Sequence, residues 1–276
     1  MVKLDHRISR GTADIAFADT GGFGPAVVLT HGAGLDHSMF EEQAAALSAA
    51  GFRVIMWDLP GHGQSTISGG TRFTASAALA DLDALLVECD VDPPVLVGHS
   101  LGGNLAQAFA KDSPDRVRGL IIVDATWNTG PLTGFERFAL QLAAPALTLI
   151  PSRTLPGQMA RASAVSASAI ARARGVFARM PKSRFVDVWR ATVSLVDPDP
   201  DYRSPVALAL VRGAADRTGN IATAMTRWAA AEGIDAHVIP DAGHIVTWDA
   251  PAATSSALLT VLADWDLTPN REGGPQ

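Results

Sequence analysis

Six short runs of nearly unbroken apolar residues constrain this chain more than any other feature: AVVLT (26–30), RVIMWD (53–58), PVLVG (94–98), GLIIVD (119–124), VALALVR (206–212) and AHVIP (236–240). A strand with one wet face alternates apolar and polar side chains, whereas a strand apolar at successive positions has to be covered on both faces. Between most of these runs lie segments of helical character, at roughly 38–50, 74–90, 101–111, 219–232 and 251–265. Strand and helix in alternation predict an α/β fold, a mostly parallel sheet with helices on both faces. The opening residues add two antiparallel strands turning at Gly11, which brings the expected sheet to eight strands.

One connection breaks the rhythm. About 80 residues separate the run ending at Asp124 from the run beginning at Val206, far more than a crossover needs. They read as three or more helices broken by Pro145, Pro151, Pro156 and Pro181, a helical lid inserted into the sheet domain. The expected division is a core of residues 1–127 and 203–266, a lid of 128–202 after the sixth strand, and a flexible tail of 267–276. The insert has its own electrostatics. Residues 128–190 hold eight Arg and one Lys against Glu136 and Asp187, a net +7 that leaves −13 on the rest of a chain whose formal charge is −6. The least demanding reading is that these arginines form the solvated faces of amphipathic helices; an anionic substrate or an acidic membrane surface are the alternatives.

An acidic chain of 276 residues with 18% charged side chains gives no reason to expect a nucleic-acid partner. Its lone Cys89 excludes an internal disulfide and stands in an apolar helical stretch, which predicts a buried structural thiol. No apolar run reaches the ~18 residues of a membrane span, and the N-terminus lacks the apolar core of a secretion signal. The expectation is a cytoplasmic protein whose partner is a small molecule. The sequence leaves the oligomeric state open, a homodimer being one option.

The chemistry starts at PVLVGHSLGGN, residues 94–104. Gly98, Gly102 and Gly103 cost backbone entropy, and two of them fall where a helix should begin. That expense is accounted for if Ser100 occupies a strained strand-to-helix corner where flanking side chains would collide, the G-x-S-x-G arrangement. A serine hydroxyl is a weak nucleophile near neutral pH and needs a base, itself oriented by a carboxylate. His244, in DAGHIVTWDAP, lies in a loop after the last strand, at the same carboxyl edge of the sheet as Ser100. Asp216, in VRGAADRTGN, follows the strand before it. The candidate order is therefore Ser100, Asp216, His244. The amide of Leu101, first in the helix after the corner, is one candidate donor to a developing oxyanion.

With HGAG (31–34), DLPGHGQS (58–65), GHSLGG (98–103), RGAADR (212–217) and DAGH (241–244) all following strands in this order, the chain resembles the α/β-hydrolase superfamily over nearly its whole length. Within it, the chain resembles the lid-containing, cofactor-free serine hydrolases of the haloperoxidase-like type. The resemblance implies the doubly wound hydrolase sheet, catalysis by the three residues above, and a second oxyanion donor at the amide of Ala33. It also supplies a rival acid, Asp124, because some relatives carry the carboxylate after that earlier strand; the alternative role for Asp124 is to cap backbone amides. His31 and His62 resemble histidines that brace loops, and His99 is expected to pack beneath the nucleophile. His37 is open between lining the pocket and capping a helix near Ser38. Gly32, Gly34, Trp127 and Trp248 complete the candidate pocket, the two tryptophans being equally readable as core. No metal-ligand spacing stands out among the histidines, so neither metal nor cofactor is expected.

Serine at the corner argues against epoxide hydrolysis and dehalogenation, which on this fold use an aspartate, since water would not cleave a serine ether. The single tyrosine, Tyr202, argues the same way. The expected reaction is cleavage of a carboxylic ester or lactone of a small to medium apolar substrate through an acyl-enzyme on Ser100. Alternatives with the same residues are a cofactor-free haloperoxidase or perhydrolase and a carbon–carbon bond hydrolase. A non-catalytic ligand receptor on the same fold is the alternative outside enzymes.

Overall fold

A computed structural model describes residues 3–91, 93–267 and 269. Its nine strands form one sheet: β1 (His6–Arg10), β2 (Ala13–Asp19), β3 (Ala26–Thr30), β4 (Arg53–Trp57), β5 (Thr66–Ile67), β6 (Val95–His99), β7 (Gly119–Val123), β8 (Ala207–Gly213) and β9 (Ala236–Ile239). The order is β1-β2-β4-β3-β6-β7-β8-β9, with β5 pairing β2 off the path. β1 and β2 turn at Gly11 as expected and are antiparallel, and everything from β4 and β3 to β9 is parallel. The ninth strand, β5, is two residues long and has no apolar run to announce it.

Successive side chains of the parallel strands enter two separate cores, the consequence of a period of two on a sheet covered twice. Val27, Leu29, Val95, Val97, Ile121, Val123, Ala209 and Val211 face one side. There they meet Leu47 of α1 (Glu41–Ala49) and Leu258, Val261 and Leu262 of α10 (Pro251–Asp264). Val28, Leu96, Leu120, Ile122 and Leu210 face the other. They pack on α2 (Ala75–Glu88), α3 (Leu101–Asp112) and α8 (Ile221–Glu232).

Between β7 and β8 stand four helices: α4 (Gly134–Leu149), α5 (Leu155–Ser163), α6 (Ala167–Phe177) and α7 (Lys182–Ser194). Pro145 does not break this segment as expected; it lies inside α4. The helix continues past it because Leu147 is buried and Lys182 Nζ donates to the end carbonyls of Thr148 and Ile150, at 2.6 and 2.5 Å. Cys89 is buried, and burial pushes its thiol up to about 12, as suits a structural residue. Of the expected tail, Leu267 packs against the core with its amide on the Leu262 carbonyl, and apart from it and Pro269 the tail lies outside the described residues.

The loops that carry HGAG and DLPGHGQS are locked together by one fully buried carboxylate. Asp58 accepts from the amides of His37 and Gln64, at 2.7 and 2.6 Å, and sits 3.0 Å from His37 Nδ1. Burial pulls the Asp58 carboxyl up, but the hydrogen bond from His37 and the Gln64 amide outweigh it and hold it below its ordinary value. A carboxyl lowered by folding stabilises the fold above its unfolded pKa, and that stability is lost as pH falls through the folded value. Asp58→Ala should cost about 3–5 kcal/mol, since it removes the buried carboxylate on which the His37 and Gln64 donors converge. In denaturant titrations the variant should also lose part of the acid-side dependence of stability that the wild type shows.

Candidate active site

Ser100 sits between β6 and α3 with φ 50° and ψ −116°, in the left-handed half of φ space that side-chain-bearing residues avoid. The glycines explain how it stays there. A Cβ on Gly98 would stand 2.3 Å from the Gly102 carbonyl oxygen, and one on Gly102 2.2 Å from that of Thr30. Strand, corner and helix touch backbone to backbone. Ser100 N donates to Val123 O at 3.0 Å, continuing the β6–β7 ladder into the corner. The Leu101 amide opens α3, and neither it nor the Ala33 amide donates within the chain among the described residues. Both Ser100 and Ala33 line one cavity with His244.

His244 Nδ1 lies 3.1 Å from Asp216 Oδ2, so the structure pairs the base candidate with Asp216. The loops carrying them are joined by Ala215 N donating to Ala242 O at 2.9 Å. Burial raises the Asp216 carboxyl, but the hydrogen bond and charge of His244 and the Thr218 amide, at 2.7 Å, reverse this and bring it to about 2. Asp124, after β7 with φ 42°, is completely buried; its Oδ1 accepts from Gly213 N at 2.9 Å and its Oδ2 has no hydrogen-bond partner. Burial and the charge of Asp216 push its carboxyl well above the ordinary value. Ligand-type atoms of Asp124, Asp216 and His244 come within 4.8 Å of one another, a spacing that a proton on Asp124 accommodates.

Three further histidines of the sequence motifs, His99, His31 and His62, are buried in the loops around the site. His99 Nε2 donates to the His244 carbonyl at 2.8 Å, and its ring lies 4.7 Å from the His244 ring, beneath the loop of Gly32. Burial, then the neighbouring His244, lowers its pKa well below the ordinary value, so it is neutral. His31 bonds Gly32 O through Nδ1 and accepts the Leu59 amide on Nε2, which bridges two loops. His62 stacks edge-on against Phe73, and burial lowers it to about 3.

The cavity wall differs from the expected one. None of Gly32, Gly34, His37, Trp127 and Trp248 belongs to it. His37 is held by Asp58 and opens a 3-10 helix capped by Asp36. Gly34 backs onto Phe177 and Phe185, while Trp127 stacks on Trp228 at 5.9 Å. Trp248 donates to Ser38 O and carries the Arg172 guanidinium 4.6 Å above its ring. The wall comes instead from the inserted helices, with Leu140, Met159, Phe177, Phe185 and Trp189 prominent, and from Asn104 of α3. Asn104 had one sequence signal, its position four residues after Ser100 on the same helical face. It donates to Asn128 Oδ1 and Thr126 O, tying the helix after Ser100 to the start of the insert. Among the described residues, no Arg, Lys, Asp or Glu lines the cavity.

Comparison with known proteins places the chain. Residues 27–257 match the alpha/beta hydrolase family, and the chain belongs to it. Its fold is close to that of a thermophilic esterase from Thermogutta terrifontis, at TM-score 0.76 and 26% identity over 97% of this chain and 98% of that one. It is similarly close to a bromoperoxidase from Bacillus anthracis, at TM-score 0.77 and 19% identity over 91% and 96%. A pimeloyl-[acyl-carrier protein] methyl ester esterase of Chromobacterium violaceum is 42% identical over 119 residues, 40% of this chain and 44% of that one. Such matches to curated relatives span only 32% to 44% of those proteins' length. The esterase and the bromoperoxidase share the α/β-hydrolase fold of this chain.

Asp216→Asn should lower kcat/KM on any substrate turned over by about 10³- to 10⁴-fold, because an amide cannot hold the imidazolium. Asp124→Asn should stay within about tenfold of wild type, since an amide resembles the neutral acid. Steady-state kinetics of the two variants side by side decide which carboxyl serves His244.

Proposed function

We propose that this chain is a serine hydrolase that cleaves a carboxylic ester or lactone of a small to medium apolar substrate. The observation that carries the reading is the meeting of a strained Ser100 with an Asp216-paired His244 in one apolar cavity free of fixed charge. In this reading Ser100 Oγ attacks the carbonyl while His244 takes its proton. The amides of Leu101 and Ala33 receive the oxyanion, with the positive end of α3 behind the first. His244 returns the proton to the leaving alcohol, Asp216 steadies the imidazolium, and water activated by the same imidazole releases the acid. The four inserted helices serve as the lid, and their apolar side chains set acyl size.

The test is hydrolysis of p-nitrophenyl esters from acetyl to dodecanoyl by wild type and Ser100→Ala. Turnover should peak at one chain length and fall by about 10⁴-fold or more in the variant. A variant that hydrolyses the series as fast as wild type would sink the proposal.

A further inference from the structure

α4 has two apolar faces, and only one of them is used. At about 100° per residue, Leu140 and Leu147 share a face that meets the cavity and the core. Phe135, Phe138, Leu142 and Leu149 fall together on the opposite face, within an arc of roughly 60°. They are 79%, 58%, 47% and 84% exposed, half of the large apolar side chains that the described surface leaves open. The stripe runs for roughly 21 Å along the helix axis. Scattered apolar residues on a surface need no account, but a continuous helical stripe does.

The surroundings of the stripe are cationic. Arg137 stands in the first turns of α4, Arg153 follows its end, and Lys182 Nζ sits on the carbonyls of Thr148 and Ile150 beside Leu149. Several arginines of the insert have partners: Arg172 bonds Glu41 and covers Trp248, Arg179 reaches Asp36, and Arg190 pairs with Asp187. Arg137, Arg153, Arg161 and Arg174 are exposed and enter no ion pair among the described residues. Their charge does not serve the cavity, which no arginine lines. Aromatic and leucine side chains along one helical face, flanked by unpaired cations, match the chemistry of a negatively charged lipid surface. A second copy fits less well, because an isologous contact through this stripe would set one +7 segment against another.

We propose that the outer face of α4, with Arg137 and Arg153, docks the protein on an anionic lipid surface. The inference rests on the hydrolase reading for its purpose: the helix that walls the cavity on one side would meet, on the other, the phase in which an apolar ester dissolves.

Cosedimentation of the full chain with phosphatidylcholine vesicles and with phosphatidylglycerol–phosphatidylcholine vesicles tests it, with light scattering to follow oligomeric state and p-nitrophenyl butyrate hydrolysis to follow the soluble activity. Wild type should bind the anionic vesicles at least about tenfold more tightly, and rising salt should release it. Phe135→Ser/Phe138→Ser/Leu142→Ser should weaken that binding by about tenfold or more. Arg137→Gln/Arg153→Gln should remove most of the preference for anionic lipid. Both variants should hydrolyse the soluble ester like wild type, which shows that they are folded. Absent binding at low salt, equal binding to both vesicles, or variants that bind like wild type would each overturn the proposal. So would a wild-type dimer that the triple serine variant converts to monomer, since the stripe would then lie between copies. Ester hydrolysis lost in wild type alongside intact vesicle binding would instead remove the hydrolase reading and leave the docking surface in place.

Discussion

The site depends on a backbone-to-backbone contact. Gly98 lets β6 meet α3, and Gly102 lets α3 meet the end of β3, at distances that no Cβ would tolerate, and the chain between the two glycines turns with Ser100 at φ 50°. That one accommodation exposes the hydroxyl at the carboxyl edge, starts α3 with a free amide at Leu101, and seats His99 under the Gly32 loop. His99 then carries the placement across the sheet, because its Nε2–H holds the His244 carbonyl. The strand before Ser100 and the loop of His244 are thus joined by a hydrogen bond that uses neither the Ser100 hydroxyl nor the His244 imidazole. Burial keeps the His99 ring neutral, and the bond to the carbonyl places its proton on Nε2.

Electrostatics in the pocket below follow from how little water reaches it. Asp124 and Asp216 share a buried space in which two negative charges would repel strongly, so one carboxyl gives up its charge. Asp216 keeps its charge because it faces His244 and the Thr218 amide; Asp124 has only the Gly213 amide and loses. One charge then remains opposite the imidazole. The order of motifs alone leaves both aspartates open, and the geometry pairs Asp216 with His244.

What the sequence discloses and what it hides divide along contact range. The parallel strands are legible because coverage on both faces writes itself into consecutive apolar residues, and the six runs coincide with β3, β4, β6, β7, β8 and β9 to within a residue or two at either end. Ser100 is legible because the strain at its corner has to be bought with glycine. The cavity wall is not legible. Phe177, Phe185 and Trp189 look like any apolar residues of an amphipathic helix, and nothing local says that α6 and α7 fold over the sheet edge. Trp127 and Trp248 stand next to the right strands yet turn away, one onto Trp228 and the other beneath Arg172. Pro145 misleads for a related reason: its cost is local, while the burial of Leu147 and the Lys182 contacts that outweigh it come from elsewhere in the fold.

The insert is more than a cover laid over a finished site. Ser163, at the end of α5 and on the cavity wall, accepts the Ile245 amide at 2.8 Å, so the residue after His244 is fixed by the insert. Asp249 accepts the amides of Val165 and Ser166 on one side and of Gly243 on the other, clamping the α5–α6 turn to the loop that carries His244. The residues that shape the cavity and the loop that aims the imidazole therefore share anchors. Any rearrangement of α5 and α6 that enlarges the cavity would also pull on His244. α4 makes neither of those contacts: its packing partner in the insert is α7, and Glu136 near its start accepts from Asn220, four residues after Asp216. The cavity wall is therefore tied to the His244 loop through α5 and α6 and to the Asp216 loop through α4, the helix whose other face carries the exposed stripe.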